Sequence, residues 1–96
     1  MEPVRIPIDG NLDLHLFSPR EVPDLIDDYF KECVRCGVYE VRVIHGKGSG
    51  ILKKRVRSLL ARHPRVESFK EAPPNAGGWG ATLVKLKIDP SKDSAR

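Results

Sequence analysis

The sequence is poor in the features that mark exported, membrane-spanning or fibrous proteins. It has only two cysteines, Cys33 and Cys36. That is too few for a disulfide framework and points to a reducing, cytoplasmic setting. No apolar run approaches the ~20 residues that cross a bilayer. The N-terminal MEPVRIPIDG has no basic stretch leading into an apolar one, which argues against export and against a membrane partner. No internal repeat and no low-complexity block is visible, so neither a repeat array nor a disordered chain is indicated. With one tryptophan and three histidines, chemistry that needs stacking or proton transfer at neutral pH is confined to a handful of positions.

Acidic residues are scarce in one half of the chain. Residues 46–96 carry 12 Lys and Arg against 4 Asp and Glu, whereas residues 1–45 carry 5 against 9. A polyanion would meet one preferred side. Nucleic acid is the first partner this suggests, because Lys and Arg supply most sequence-independent affinity for a phosphate backbone; a merely basic surface is the alternative. The 96 residues, 40% of them hydrophobic and 31% charged, suffice for one domain with one core.

Patterning divides the chain into an extended arm over residues 1–10, a domain over 11–88 and a tail over 89–96. Asn11 to Leu16 alternates Leu12, Leu14 and Leu16 with Asp13 and His15, which predicts a strand. Ser18-Pro19-Arg20-Glu21 has the order of a capping box. Val22, Leu25, Ile26, Tyr29, Phe30, Cys33 and Val34 then recur at helical spacing, ending at a left-handed Gly37. Pro23 predicts an irregular first turn. Val38 to His45 reads as a second strand, and Ile51, Leu52, Val56, Leu59 and Leu60 as a second helix ending before Pro64. Lys53, Lys54, Arg57 and Arg62 are its outward positions. Val66 to Phe69 predicts a short third strand, Ala72 to Gly80 a loop, and Thr82 to Ile88 a fourth strand.

The resulting order, βαβαββ, predicts an α/β two-layer sandwich. Its mixed four-stranded sheet has three strands running one way and the last antiparallel, with both helices on one face.

In such a fold the carboxyl ends of parallel strands gather ligands along one edge. Asp13 and His15 lie near the end of the first strand and His45 ends the second, so all three should share that edge. Directly after His45 comes Gly46-Lys47-Gly48-Ser49-Gly50, whose backbone N–H groups can turn toward an anion and which runs into the positive end of a helix. Read as chemistry, this is a phosphate seat flanked by a carboxylate and two imidazoles; read as structure, it is a flexible turn beside satisfied histidines. Trp79, in Gly77-Gly78-Trp79-Gly80, either stacks on an unpaired base or covers a sheet edge. His63, at a helix end before Pro64, reads as structural. So do Cys33 and Cys36: their C-x-x-C closes a helix, where the dipole opposes thiolate, and no second pair is present for zinc.

Leu12-Asp13-Leu14-His15, His45-Gly46-Lys47-Gly48 and Gly78-Trp79-Gly80-Ala81-Thr82-Leu83-Val84-Lys85-Leu86 resemble, in order and spacing, the three signatures of the small MutS-related (Smr) domain. The resemblance covers about residues 11 to 88 and is to the stand-alone members, since no mismatch-recognition or ATPase portion is present. It implies the two-layer fold above, nucleic-acid binding, and endonuclease activity on branched or duplex DNA or on RNA. By the same match, Asp13 and His15 and the segment His45, Gly46, Lys47 and Gly48 are functional, whereas Gly78, Gly80, Ala81 and Thr82 are structural. Many members have glycine where Leu16 follows His15, a difference that bears on catalysis more than on fold.

The expected machinery follows. His15 and His45 are the candidate general base and acid, with Asp13 orienting His15, capping the next turn, holding a proton or ligating magnesium or manganese. The Gly46–Gly50 loop, Lys53, Lys54, Arg57 and Trp79 would hold nucleic acid. The alternatives are a binding module that uses the same edge without cleaving, and a site for a small phosphorylated ligand. Cleavage requires that the two imidazoles share a rim and that neither is sealed inside.

Overall fold

The computed structural model describes residues 8–48 and 50–88, with Leu16 by its backbone alone. Most of the expected N-terminal arm, the tail over 89–96 and the loop residue Ser49 lie outside the described residues.

The first strand, β1 (Asn11–Asp13), is shorter than its alternation predicts. Asp13 Oδ1 accepts the backbone N–H of His15 at 2.9 Å, and this Asx-type bond turns the chain into a 3-10 turn over Leu14–Leu16. A second 3-10 turn, Pro19–Glu21, follows Ser18, whose N–H and hydroxyl both donate to Glu21 Oε2, at 2.9 and 3.1 Å. The irregular turn foreseen from Pro23 is this segment. Helix α1 (Val22–Arg35) then begins one residue before Pro23, where a missing N–H costs no intrahelical bond. It closes on Gly37, at φ 80°, with Val38 N–H reaching back to Cys33 O at 2.7 Å.

The remaining elements are β2 (Glu40–Ile44), α2 (Ile51–Arg62), β3 (Val66–Glu71) and β4 (Ala81–Leu86). The sheet order is β1-β2-β4-β3, with β1 parallel to β2 and β4 antiparallel to both its neighbours. Strands β1, β2 and β3 therefore run one way and β4 the other, as the crossovers predict. The last strand enters between β2 and β3, which periodicity could not reveal.

Leu12, Val41, Val43, Val84 and Leu86 form one core with Val22, Ile26, Tyr29, Phe30, Cys33 and Val34 of α1 and Val56 and Leu60 of α2, so both helices cover the same sheet face. The two helices are joined by His63. Its ring meets Phe30 edge-on at 5.2 Å and its Nε2 lies 3.2 Å from Asp27 Oδ1, a structural role. Cys33 is buried in the core, and burial pushes its thiol up to about 11. Ile88, the last residue of the expected fourth strand, is 54% exposed because β4 stops at Leu86.

Candidate functional site

The turn that ends β1 builds the first part of the site. Asp13 Oδ1 accepts the His15 backbone N–H and also lies 2.7 Å from His15 Nδ1. The backbone bond is the main reason its carboxyl titrates below the usual range, opposed by slight burial and reinforced by the imidazole. An ionised carboxylate only accepts, so Nδ1 carries the proton; in the neutral ring Nε2 then presents a lone pair. The pair faces one way because of the turn, not because of strand alternation. Nε2 makes no hydrogen bond among the described residues. It packs on Gly46, where a Cβ would stand 2.7 Å from it. At φ +87° Gly46 is also a backbone position that disfavours any side chain.

The glycine loop is clamped from the other side by Gly80. Its carbonyl accepts the N–H groups of His45 at 3.1 Å and Gly46 at 2.8 Å. Those two amides are therefore spent on structure. The amides of Lys47 and Gly48 make no hydrogen bond among the described residues, and Gly50, left-handed at φ 87°, leads into α2. The expected phosphate seat thus narrows to Lys47, Gly48 and the start of α2.

His45 requires a correction. It is 5% exposed, with Nε2 2.9 Å from Thr82 Oγ1 and Nδ1 3.2 Å from Gly46 O. Burial is the largest reason its imidazole titrates below the ordinary value, aided by Lys53 and Arg57 and opposed by the Gly46 carbonyl and Glu71. A neutral ring with both nitrogens engaged has no free position for exchanging protons with a bound substrate. The two imidazoles do flank the same glycine, but only His15 reaches the rim.

The basic residues expected to form one stripe on the second helix divide between two flanks. Lys53 is covered, its side chain 15% exposed, paired with Glu71 at 2.8 Å and set 5.2 Å from the Trp79 ring. Arg57, on the same flank, lies over Phe69. Lys54 occupies the opposite flank, in a groove of about 460 Å³ with Pro19, Pro23, Arg55 and Arg62. Trp79 remains 42% exposed. It sits immediately before Gly80, whose carbonyl clamps the loop. A separate cavity of about 610 Å³, lined by Arg42, Ser68, Phe69, Lys70 and Leu83 among others, contains none of the site residues expected from the sequence.

Asp13, the candidate metal ligand, has Oδ1 committed to His15. Among the described residues no group of three or more His, Cys, Asp or Glu side chains is arranged to hold a metal. Asp13 could therefore take part in holding a magnesium or manganese ion only as a single carboxylate sharing it with waters and substrate phosphate oxygens.

Thr82 and the Gly80 carbonyl are site-supporting groups whose contacts the sequence reading missed. The signal for Thr82 was present: a hydroxyl on the inward side of a strand otherwise lined by Val84 and Leu86 needs a partner.

The family model of the Smr domain matches residues 12–87. The chain is 47% identical over 75 residues to endonuclease MutS2 of Helicobacter pylori (strain ATCC 700392 / 26695) and 44% identical over 76 residues to endonuclease MutS2 of Thermus thermophilus. These matches cover 78% and 79% of this chain and 10% of each relative, so the chain spans about a tenth of their length. Among solved structures, the Smr domain of Thermus thermophilus MutS2 superposes with a TM-score of 0.76 at 38% identity, covering 81% of this chain and 98% of that one. YdaL, a stand-alone small MutS-related protein from Escherichia coli, also gives 0.76, at 26% identity and with 84% and 66% coverage.

Proposed function

The chain belongs to the Smr domain family, and from that premise we propose that it binds nucleic acid and cleaves phosphodiester bonds at the Asp13–His15 pair. The observation that carries this reading is His15 Nε2, oriented through Nδ1 by Asp13 and resting on Gly46 beside the Lys47 and Gly48 amides, which make no hydrogen bond among the described residues. His15 removes a proton from the nucleophile, which is the ribose 2′-OH in RNA or a water on DNA; the nucleophile's oxygen bonds to phosphorus as the bond to the leaving oxygen breaks, and the leaving oxygen takes a proton from solvent water. Asp13 stabilises the resulting imidazolium. The Lys47 charge and the free amides hold the phosphate and oppose charge that builds on its oxygens. No step requires a protein-held metal. The condition that both imidazoles stand on the rim is not met, because His45 is buried with both nitrogens engaged; cleavage in this reading therefore rests on His15 alone, and His45 supports the loop in place of its expected role as general acid. Trp79 offers a half-exposed indole to an unpaired base, and Lys54 and Arg57 attract the backbone on either flank of α2. No helix among the described residues is long and apolar enough to cross a membrane, and free Cys33 and Cys36 support a reducing, cytoplasmic setting.

End-labelled RNA, duplex DNA and branched DNA, each incubated with wild type and with His15→Ala, test the reading. Product should fall by ~10²–10⁴-fold in the variant with affinity changed less than about three-fold. Undiminished cleavage by His15→Ala would refute it. The burial of His45 favours one second reading, a binding module without cleavage. It would show salt-sensitive association and no product from any of the three substrates.

A further inference from the structure

We propose that Thr82 is a positioning residue of this site: its hydroxyl holds buried His45 in the one tautomer that fixes the Gly46 carbonyl inward and thereby aims the Lys47 amide outward at the phosphate. The proposal rests on the phosphate-seat reading above and assigns a residue that acts through another.

The direction of each bond follows from what the partners can do. Gly46 O only accepts, so the His45 nitrogen facing it, Nδ1 at 3.2 Å, bears the proton. In a neutral ring Nε2 is then a bare acceptor. Its partner at 2.9 Å is Thr82 Oγ1, which is fully buried and supplies the hydrogen. A valine would fill nearly the same space on this inward-facing position, opposite Val43 in register. What the hydroxyl adds is the donor, without which Nε2 would be buried and unsatisfied.

The consequence for the loop comes from peptide geometry. Every peptide bond among the described residues is trans, and in a trans peptide the C=O and the following N–H point in opposite directions. Holding Gly46 O toward buried His45 therefore turns Lys47 N–H away from it, toward solvent. The preceding N–H of Gly46 is held by Gly80 O at 2.8 Å, so the residue is pinned at both ends. Thr82, at the far end of this relay, sets the direction of the first free amide of the seat without approaching a substrate. The charged groups that act on His45 are Lys53 and Arg57 from α2 and Glu71 from β3.

The test uses nitrogen-detected NMR of the His45 ring, the Lys47 amide shift and oligonucleotide affinity, in wild type, Thr82→Val and Thr82→Ser. Wild type at pH 7.5 should show His45 protonated at Nδ1; an Nε2-protonated ring would overturn the proposal without any variant. Thr82→Val should lose the single-tautomer signature, move the Lys47 amide and bind an oligonucleotide roughly ten-fold more weakly, the scale of one hydrogen bond. Thr82→Ser, which keeps the hydroxyl, should restore all three. A Thr82→Val protein with wild-type tautomer, amide shift and affinity would refute the proposal. A wild type that binds no oligonucleotide would instead sink the functional reading, while the ring tautomer and the Lys47 amide would still decide the role of Thr82.

Discussion

Replacing Gly80 by alanine places a methyl group against the loop that carries the site. The added Cβ would stand 2.8 Å from Lys47 Cγ, 3.3 Å from the Gly46 carbonyl carbon and 3.5 Å from Lys47 N. The first contact can be relieved by swinging a flexible arm. The second and third are backbone, so β4 and the loop must separate by a few tenths of an ångström. That motion stretches the bonds from His45 and Gly46 N–H to Gly80 O, now 3.1 and 2.8 Å, each worth about 0.5–1.5 kcal/mol net. Together with overpacking, the expected loss is about 1–3 kcal/mol, and in a domain this small each 1 kcal/mol lowers Tm by roughly 4–8 °C. Gly48→Ala is the matched control. Neither Gly80 nor Gly48 has a positive φ, and a Cβ at Gly48 meets nothing within 4 Å. The control should be neutral or stabilising by about 0.4–1 kcal/mol, through a less disordered unfolded chain. Thermal and urea unfolding followed by far-UV circular dichroism measure both. A Gly80→Ala protein as stable as wild type, or a Gly48→Ala protein losing as much as Gly80→Ala, would refute the clamp.

His45 sets a pH window. Its imidazole titrates below the ordinary 6.5 in the folded protein, so between those values the unfolded chain binds more protons, and stability falls as pH drops below about 6.5. His45→Gln should flatten that slope relative to wild type in melts from pH 7.5 to 5, and an unchanged slope would exclude His45 as its source. Asp13→Asn should lower cleavage by ~10²-fold or more while changing Tm by only a few degrees; equal activity would show that His15 needs no orienting partner. Trp79→Ala should weaken binding of single-stranded oligonucleotides by about 1–3 kcal/mol and of duplexes less, read by fluorescence anisotropy. Equal losses on both would deny base stacking.

Much of the fold was legible because periodicity and punctuation agreed. Ser18, Glu21 and Gly37 marked the ends of α1, and the inward residues of β2 and β4 alternate as the letters do. Order within the sheet was hidden, since the pairing of β4 between β2 and β3 depends on contacts that no local pattern encodes. Asp13 was legible both as a partner of His15 and as a cap for the next turn, and its side chain makes both contacts; that the cap also ends the strand after three residues was not. His45 was legible as a member of the site and illegible as a buried one, because its sealing depends on Thr82, 37 positions away. Lys53 looked outward at helical spacing, yet Glu71 and Trp79, both distant in sequence, cover it.

Because the strand added last supplies both the Gly80 clamp and the Thr82 hydroxyl, the loop at residues 45–48 is not held in its final form until that strand has slotted between its neighbours. A nascent or truncated chain that stops short of residue 80 carries the acidic side chain, both imidazoles and the lysine, yet lacks the brace that makes them a unit. Seating of the loop is thus tied to the docking of β4, whose Gly80 and Thr82 reach residues brought in much earlier along the chain.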